Sequence, residues 1–163
     1  MKASIKIFLG IVFLMTLVVH TATAQKQPSA KAIAVKNAVD SQRYIFHAEN
    51  VLPLRGSQRF LTSGYDVTVT KDSVISYLPY FGRAYSAPLN NEGGIQFTST
   101  NFTYAATTRK KGGWEITIST KDAGDVRQLL LTIFENGTAS LNVTSNNRDP
   151  ISFSGTVTKI KSK

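Results

Sequence analysis

The sequence predicts a mainly β protein: an antiparallel barrel of about eight strands behind one N-terminal helix. Three observations point there. From Gln42 onward, apolar residues recur at every second position in run after run. Most runs are joined by short polar turns. Nearly every run pairs an apolar face with a Thr- and Ser-rich one, so one side is buried and the other wet. Consecutive antiparallel strands of this kind close well into a barrel, which removes sticky edges. A two-sheet β-sandwich is the alternative arrangement of the same strands.

The first residues stand apart from this pattern. Met1-Lys2 and Lys6 form a short basic start, Ile7 to Val19 carries no charge, and Ala22-Thr23-Ala24 is a small-x-small exit. That order is the order of a secretory signal peptide, with cleavage expected near Ala24-Gln25. The apolar run falls short of the ~20 residues that cross a bilayer comfortably, so no transmembrane segment is expected in the mature chain. A retained signal anchor is the alternative. Gln25 stands where lipoprotein processing needs a cysteine. The expected location is therefore outside the cytoplasm, periplasmic or extracellular and cell-surface, as a soluble chain. The expected organisation is signal peptide 1–24, linker and helix 25–41, barrel domain 42–163.

Ser29 is a good N-cap, and Ala30 to Ser41 reads as a helix with Ala32, Val35 and Val39 on one modest apolar face. In the first strand Tyr44, Phe46 and Ala48 alternate with Ile45, His47 and Glu49. Tyr65, Val67 and Val69 follow, then a turn at Lys71-Asp72 and a strand Ser73–Leu78. Ile95–Ser99 and Phe102–Thr108 read as strands on either side of a bend near Asn101. Lys110–Gly113 turns into Trp114, Ile116 and Ile118. Arg127–Glu135 is apolar on both faces, and Asn136-Gly137 is a strong hairpin signal. Ala139, Leu141 and Val143, a turn at Asn146–Pro150, and Ile151, Phe153, Gly155 and Val157 complete the pattern.

Composition narrows the chemistry. The chain has 163 residues, no cysteine and a net charge of +9, which becomes +7 once Lys2 and Lys6 leave with the signal peptide. Thiol nucleophiles and thiolate metal ligands are excluded. The basic excess concentrates at Lys26, Lys31, Lys36, at Lys110-Lys111 and at Lys159, Lys161, Lys163. No RNP-type motif and no basic helix stripe accompanies it, so no nucleic acid is expected as partner. Lipid head groups or acidic glycans are the expected anionic neighbours.

His47 is the sole histidine left after cleavage, and no G-x-S-x-G elbow supports it. An exposed strand histidine is expected, with a hydrolase centred on His47 as an alternative. One histidine and no cysteine do not make a zinc site, so neither metal nor other cofactor is expected. Among the acids, Asp72, Glu92, Asp122, Asp125 and Asp149 fall at turns or wet faces. Asp66 and Glu115 are mid-strand on the Thr-rich face. None of these spacings identifies a catalytic carboxylate pair.

The densest unusual feature is Tyr77-Leu78-Pro79-Tyr80-Phe81-Gly82-Arg83-Ala84-Tyr85-Ser86-Ala87-Pro88. Exposed aromatic surface is costly, so this segment either folds over the barrel as a plug or lines a ligand mouth. Aromatic faces beside an Arg can hold a sugar ring or an anionic head group. Tyr80, Phe81, Arg83 and Tyr85 are the candidate ligand-binding residues.

The run Leu78–Tyr85 resembles the signature of an exported Bacteroidetes family known as domain of unknown function 4251. Gly93-Gly94-Ile95-Gln96-Phe97, Asn101–Tyr104 and Asn147–Gly155 are similar to further pieces of it. The resemblance spans nearly all of the chain from about Gln42 onward. It implies a lipocalin-like barrel with an N-terminal helix and a Gram-negative periplasmic or surface setting. It implies no activity and transfers no catalytic residue. In that setting Asp72-Ser73-Val74 looks like a short O-glycosylation acceptor, at Ser73. The functional expectation is an envelope barrel that binds a small or lipid-like ligand without catalysis. The alternative is a structural or interaction protein with a solid barrel and an envelope protein partner.

Overall fold

A computed structural model describes residues 29–62, 64–85 and 93–160. The expected signal peptide and its cleavage point, the linker residues 25–28, residues 86–88, Glu92, Lys161 and Lys163 lie outside the described residues.

Helix α1 spans Ala30–Asp40. It starts at Ser29 because the serine Oγ accepts the Ala32 N–H at 3.1 Å, satisfying one of the orphan donors of the first turn. Ala32, Val35, Ala38 and Val39 form its buried face. It ends at Ser41, and Gln42 takes a positive φ of 51° to turn the chain into the sheet.

Ten strands follow. They are β1 (Tyr44–Pro53), β2 (Arg59–Phe60), β3 (Asp66–Val69), β4 (Val74–Leu78) and β5 (Ile95–Ser99). Then come β6 (Phe102–Thr108), β7 (Trp114–Thr120), β8 (Val126–Ile133), β9 (Thr138–Ser145) and β10 (Ile151–Lys159). All pairings are antiparallel, and nine strands run β5-β4-β3-β1-β10-β9-β8-β7-β6 around a nearly closed barrel, with β2 paired to β1. One continuous path replaces the two-sheet sandwich. The fold is the lipocalin-like barrel with an N-terminal helix.

The first and last strands meet at the centre of that path, from Tyr44 opposite Lys159 to Pro53 opposite Ile151. The register slips between Ala48 and Asn50, a β-bulge. Here the strands approach so closely that a Cβ on Gly155 would sit 1.9 Å from the His47 carbonyl oxygen. No side chain fits that position without moving backbone.

Alternation places Tyr44, Phe46, Leu78, Ile116, Ile118, Leu141 and Phe153 inside, each almost fully buried in one contiguous apolar cluster. α1 closes the barrel end at Tyr44 and Lys159, packing on β10 and towards the β8–β9 hairpin. That hairpin turns at Asn136-Gly137, with Gly137 at a φ of 80°. Leu130 and Phe134 emerge on the outside of the doubly apolar strand.

Closure is incomplete at one seam. β5 and β6 are consecutive in sequence, yet they end the path and do not pair with each other. Their connection is held by Asp122, whose carboxylate accepts the Ser99 hydroxyl and the Thr100 and Asn101 N–H groups, at 2.9 and 3.0 Å for the last two. The Ser99 hydrogen bond, with the backbone donors, holds the Asp122 carboxyl below its ordinary range.

Candidate functional site

The aromatic segment lies at the opposite end of the barrel, where β1 ends and β10 begins. Pro79 follows β4 and cannot extend its ladder. The chain then runs across the end of the barrel as a strap, Tyr80–Tyr85. It is fastened to the β9–β10 turn by an antiparallel bridge between Ala84 and Arg148. The Tyr85 N–H donates to the Asn147 carbonyl at 2.8 Å, and the Asp149 N–H donates to the Arg83 carbonyl at 3.0 Å.

Side chains reinforce the backbone bridge. The Tyr80 hydroxyl donates towards the carbonyls of Arg83 and Asp149, at 2.8 and 3.1 Å. Gly82 permits this, since a Cβ there would come within 2.5 Å of that hydroxyl. The Tyr85 hydroxyl donates to Asp149 Oδ1, and the Asp149 residue is only 5% exposed. Sequence reading puts Asp149 with the wet turn acids; the strap covers it and turns it into a buried acceptor. Desolvation, then the nearby Asp149 charge, raises the Tyr80 hydroxyl above its ordinary pKa. For Tyr85 the hydrogen bond to Asp149 is the main cause of a similar rise, and the charges of Arg55 and Arg83 oppose it.

Arg148 is the centre of this end. Its guanidinium lies over the Tyr80 ring at 5.2 Å, donates to the Gly94 carbonyl at 2.8 Å and pairs with Asp125 at 2.8 Å. One side chain thus ties the strap, the approach to β5, the β7–β8 turn and the β9–β10 turn together. Its side chain is 10% exposed.

Of the four candidate residues, Tyr80 and Tyr85 are therefore brought together over Asp149. Phe81 instead carries the Arg59 guanidinium over its ring at 5.0 Å. Arg83 is exposed, and among the described residues its side chain makes no hydrogen bond or ion pair. Around them stands a rim that sequence reading does not single out. Arg55 and Arg59 flank it, Phe60 is 89% exposed, and Leu52 and Leu54 are 50% and 61% exposed. Phe60 pairs with Asn50 across β1 and β2, which puts it on the same outer face as Leu52.

The remaining candidates lie elsewhere. His47 faces outward on β1, opposite Asp66 on β3, and its Nε2 is 2.9 Å from the Thr158 hydroxyl. Glu49 accepts from Thr156 at 3.1 Å. Ser73 closes the β3–β4 turn, with its hydroxyl 3.0 Å from that of Thr70. Among the described residues, no group of three His, Asp or Glu is placed to hold a metal ion. No helix among them is long and apolar enough to cross a membrane.

The family model for a domain of unknown function, DUF4251, matches residues 26–157. The chain belongs to the DUF4251 family. The barrel of this DUF4251 protein is similar to a crystal structure of a DUF4251 family protein from Bacteroides eggerthii DSM 20697, with a TM-score of 0.60. That likeness has 21% identity and covers 79% of this chain and 87% of the other, and it speaks to the fold alone. A comparison with curated proteins finds no match.

Proposed function

We propose that this DUF4251 protein is exported, loses residues 1–24, and works in the cell envelope as a non-catalytic binding barrel for an anionic, lipid-like ligand. The observation that carries the reading is the rim at the strap end. The charges of Arg55 and Arg83 reach Tyr85, the Arg59 guanidinium lies over the Phe81 ring, and Phe60, Leu52 and Leu54 are exposed along the nearby β1–β2 ladder. Guanidinium groups pair with phosphate or carboxylate, and the neighbouring apolar side chains suit an acyl or ring portion. Because apolar side chains fill the interior, the ligand is placed across the rim. Tyr80, Phe81 and Tyr85 shape that surface, and Arg83 is the contact on the strap.

The test is co-sedimentation with phosphatidylglycerol vesicles and with phosphatidylcholine vesicles. Binding is expected to the anionic vesicles alone. Joint replacement of Arg55, Arg59 and Arg83 by Glu is expected to abolish it while the melting temperature is kept. Equal binding to both vesicles, or binding indifferent to the triple variant, overturns the reading. N-terminal sequencing of the envelope fraction tests export, with Gln25 as the expected first residue.

The packed interior favours a second reading, a solid barrel that serves as a structural or interaction protein of the envelope. In-cell crosslinking from Phe60 separates the two: a reproducible protein adduct there, with no lipid bound, favours the second.

A further inference from the structure

Among the described residues, the open seam leaves β6 with one paired edge and one bare one. Its orientation follows from two hydrogen bonds to β7. The Asn101 carbonyl accepts the Lys121 N–H at 2.9 Å, and the Arg109 N–H donates to the Gly113 carbonyl at 3.0 Å. Backbone groups alternate sides along a strand, so the odd residues of β6 bond to β7. The even residues, Phe102, Tyr104, Ala106 and Thr108, therefore aim their N–H and C=O groups at the seam. No strand among the described residues takes them up.

Among the described residues this edge carries none of the usual protections. Phe102–Thr108 contains no proline, no charge and no bulge, and Ala105 to Thr108 are all exposed. Edges of this length and composition are templates for another strand. Bare edges are normally blunted by Lys or Pro, and here the lysines stand just beyond the strand, at Lys110 and Lys111.

We propose that the β6 edge is an interaction surface for a second copy of this chain, with two β6 strands paired antiparallel about a two-fold axis at Ala105. In that register Phe102 faces the partner's Thr108 and Tyr104 faces the partner's Ala106. Each bulky residue then meets a small one, and all seven residues pair. The charges select this occupant. The exposed lysines of the turn, Lys110 and Lys111, at one end of β6 fall beside the partner's Thr100-Asn101, where the exposed Asp122 carboxylate is held, while the Arg109 guanidinium stays over the Phe134 ring of its own chain. The two-fold axis makes that contact twice. The surface is separate from the arginine rim and does not rest on it.

The experiment is sedimentation equilibrium of the purified protein over a dilution series, at low and high salt. A dimer is expected whose dissociation rises with salt. Ala106→Pro removes an edge donor without touching the β7 ladder, so it is expected to keep the monomer's melting temperature and weaken the dimer about tenfold or more. Paired replacement of Lys110 and Lys111 by Glu is expected to weaken it as well. Hydrogen exchange on the unaltered protein gives a readout independent of any variant: the Tyr104, Ala106 and Thr108 amides should be slow in the dimer and fast on dilution. A protein monomeric at every concentration, a dimer untouched by Ala106→Pro, or a monomer whose β6 edge is taken by a different protein overturns the proposal.

Discussion

The two ends of the barrel are closed by opposite means. At one end, α1 lays Ala32, Val35, Ala38 and Val39 over the core, and its own cap supplies the polar bonds. At the other, a short strap is held by tyrosine hydroxyls, a buried carboxylate and one arginine that touches three other segments. The helical end is many small, local, non-directional contacts. The strap end concentrates its cohesion in a few directional ones. Such an end holds its residues in fixed geometry, and it fails when one member is removed.

Removing the hub should show the contrast at its sharpest. Arg148→Met strands the partly buried Asp125 and frees the Gly94 carbonyl, so a loss of about 3 kcal/mol is expected in denaturant unfolding. Amide exchange at Tyr85 and Asp149 should quicken while α1 stays protected. A smaller loss, about 2 kcal/mol, is expected for Val39→Ala, spread over the cluster rather than confined to the helix. Should Val39→Ala cost more than Arg148→Met, the ionic end is an ornament on an apolar barrel. Ser29→Ala removes one cap bond and should cost about 1 kcal/mol, with fraying limited to the first turn.

The smallest difference is in alkaline titration. Burial raises the Tyr44 hydroxyl well above the ordinary tyrosine value of 10.0, and Tyr80 and Tyr85 are also raised. A raised folded pKa means the folded state holds its proton longer than the unfolded one. Stability from these groups is full below 10.0 and falls as pH climbs through the folded values. Tyr44→Phe should flatten that decline more than Tyr85→Phe, because Tyr44 is buried and Tyr85 is 65% exposed.

The helical end was readable because its cause is local. Ser29 and the spacing of Ala32, Val35 and Val39 sit within a dozen residues. Most strands were readable for the same reason, to within a residue or two. The alternation in the sequence carries β1 only to Glu49, because the bulge between Ala48 and Asn50 shifts it so that Val51 and Pro53 turn inward. β2 has two residues and no period to detect. The open seam ran against the expectation of closure, since pairing between β5 and β6 leaves no signature in either strand alone. The strap announced itself by aromatic density, but its partners are remote. Tyr85 meets Asp149 across 64 positions and Arg148 meets Gly94 across 54, and no spacing rule links them.

The meeting of β1 and β10 at the middle of the sheet also governs when this protein can exist. Synthesis delivers Tyr44, Phe46 and Val51 first and their partners Lys159, Val157 and Phe153 last. Hairpins can build β6 through β10 in sequence, but the two halves join only when the final strand arrives, the kind of long-range closure that slows folding. A chain halted before Ile151 would be no smaller barrel. It would bear two naked edges, on β1 and β9, at the centre of what should have been its core, and it would be prone to aggregate.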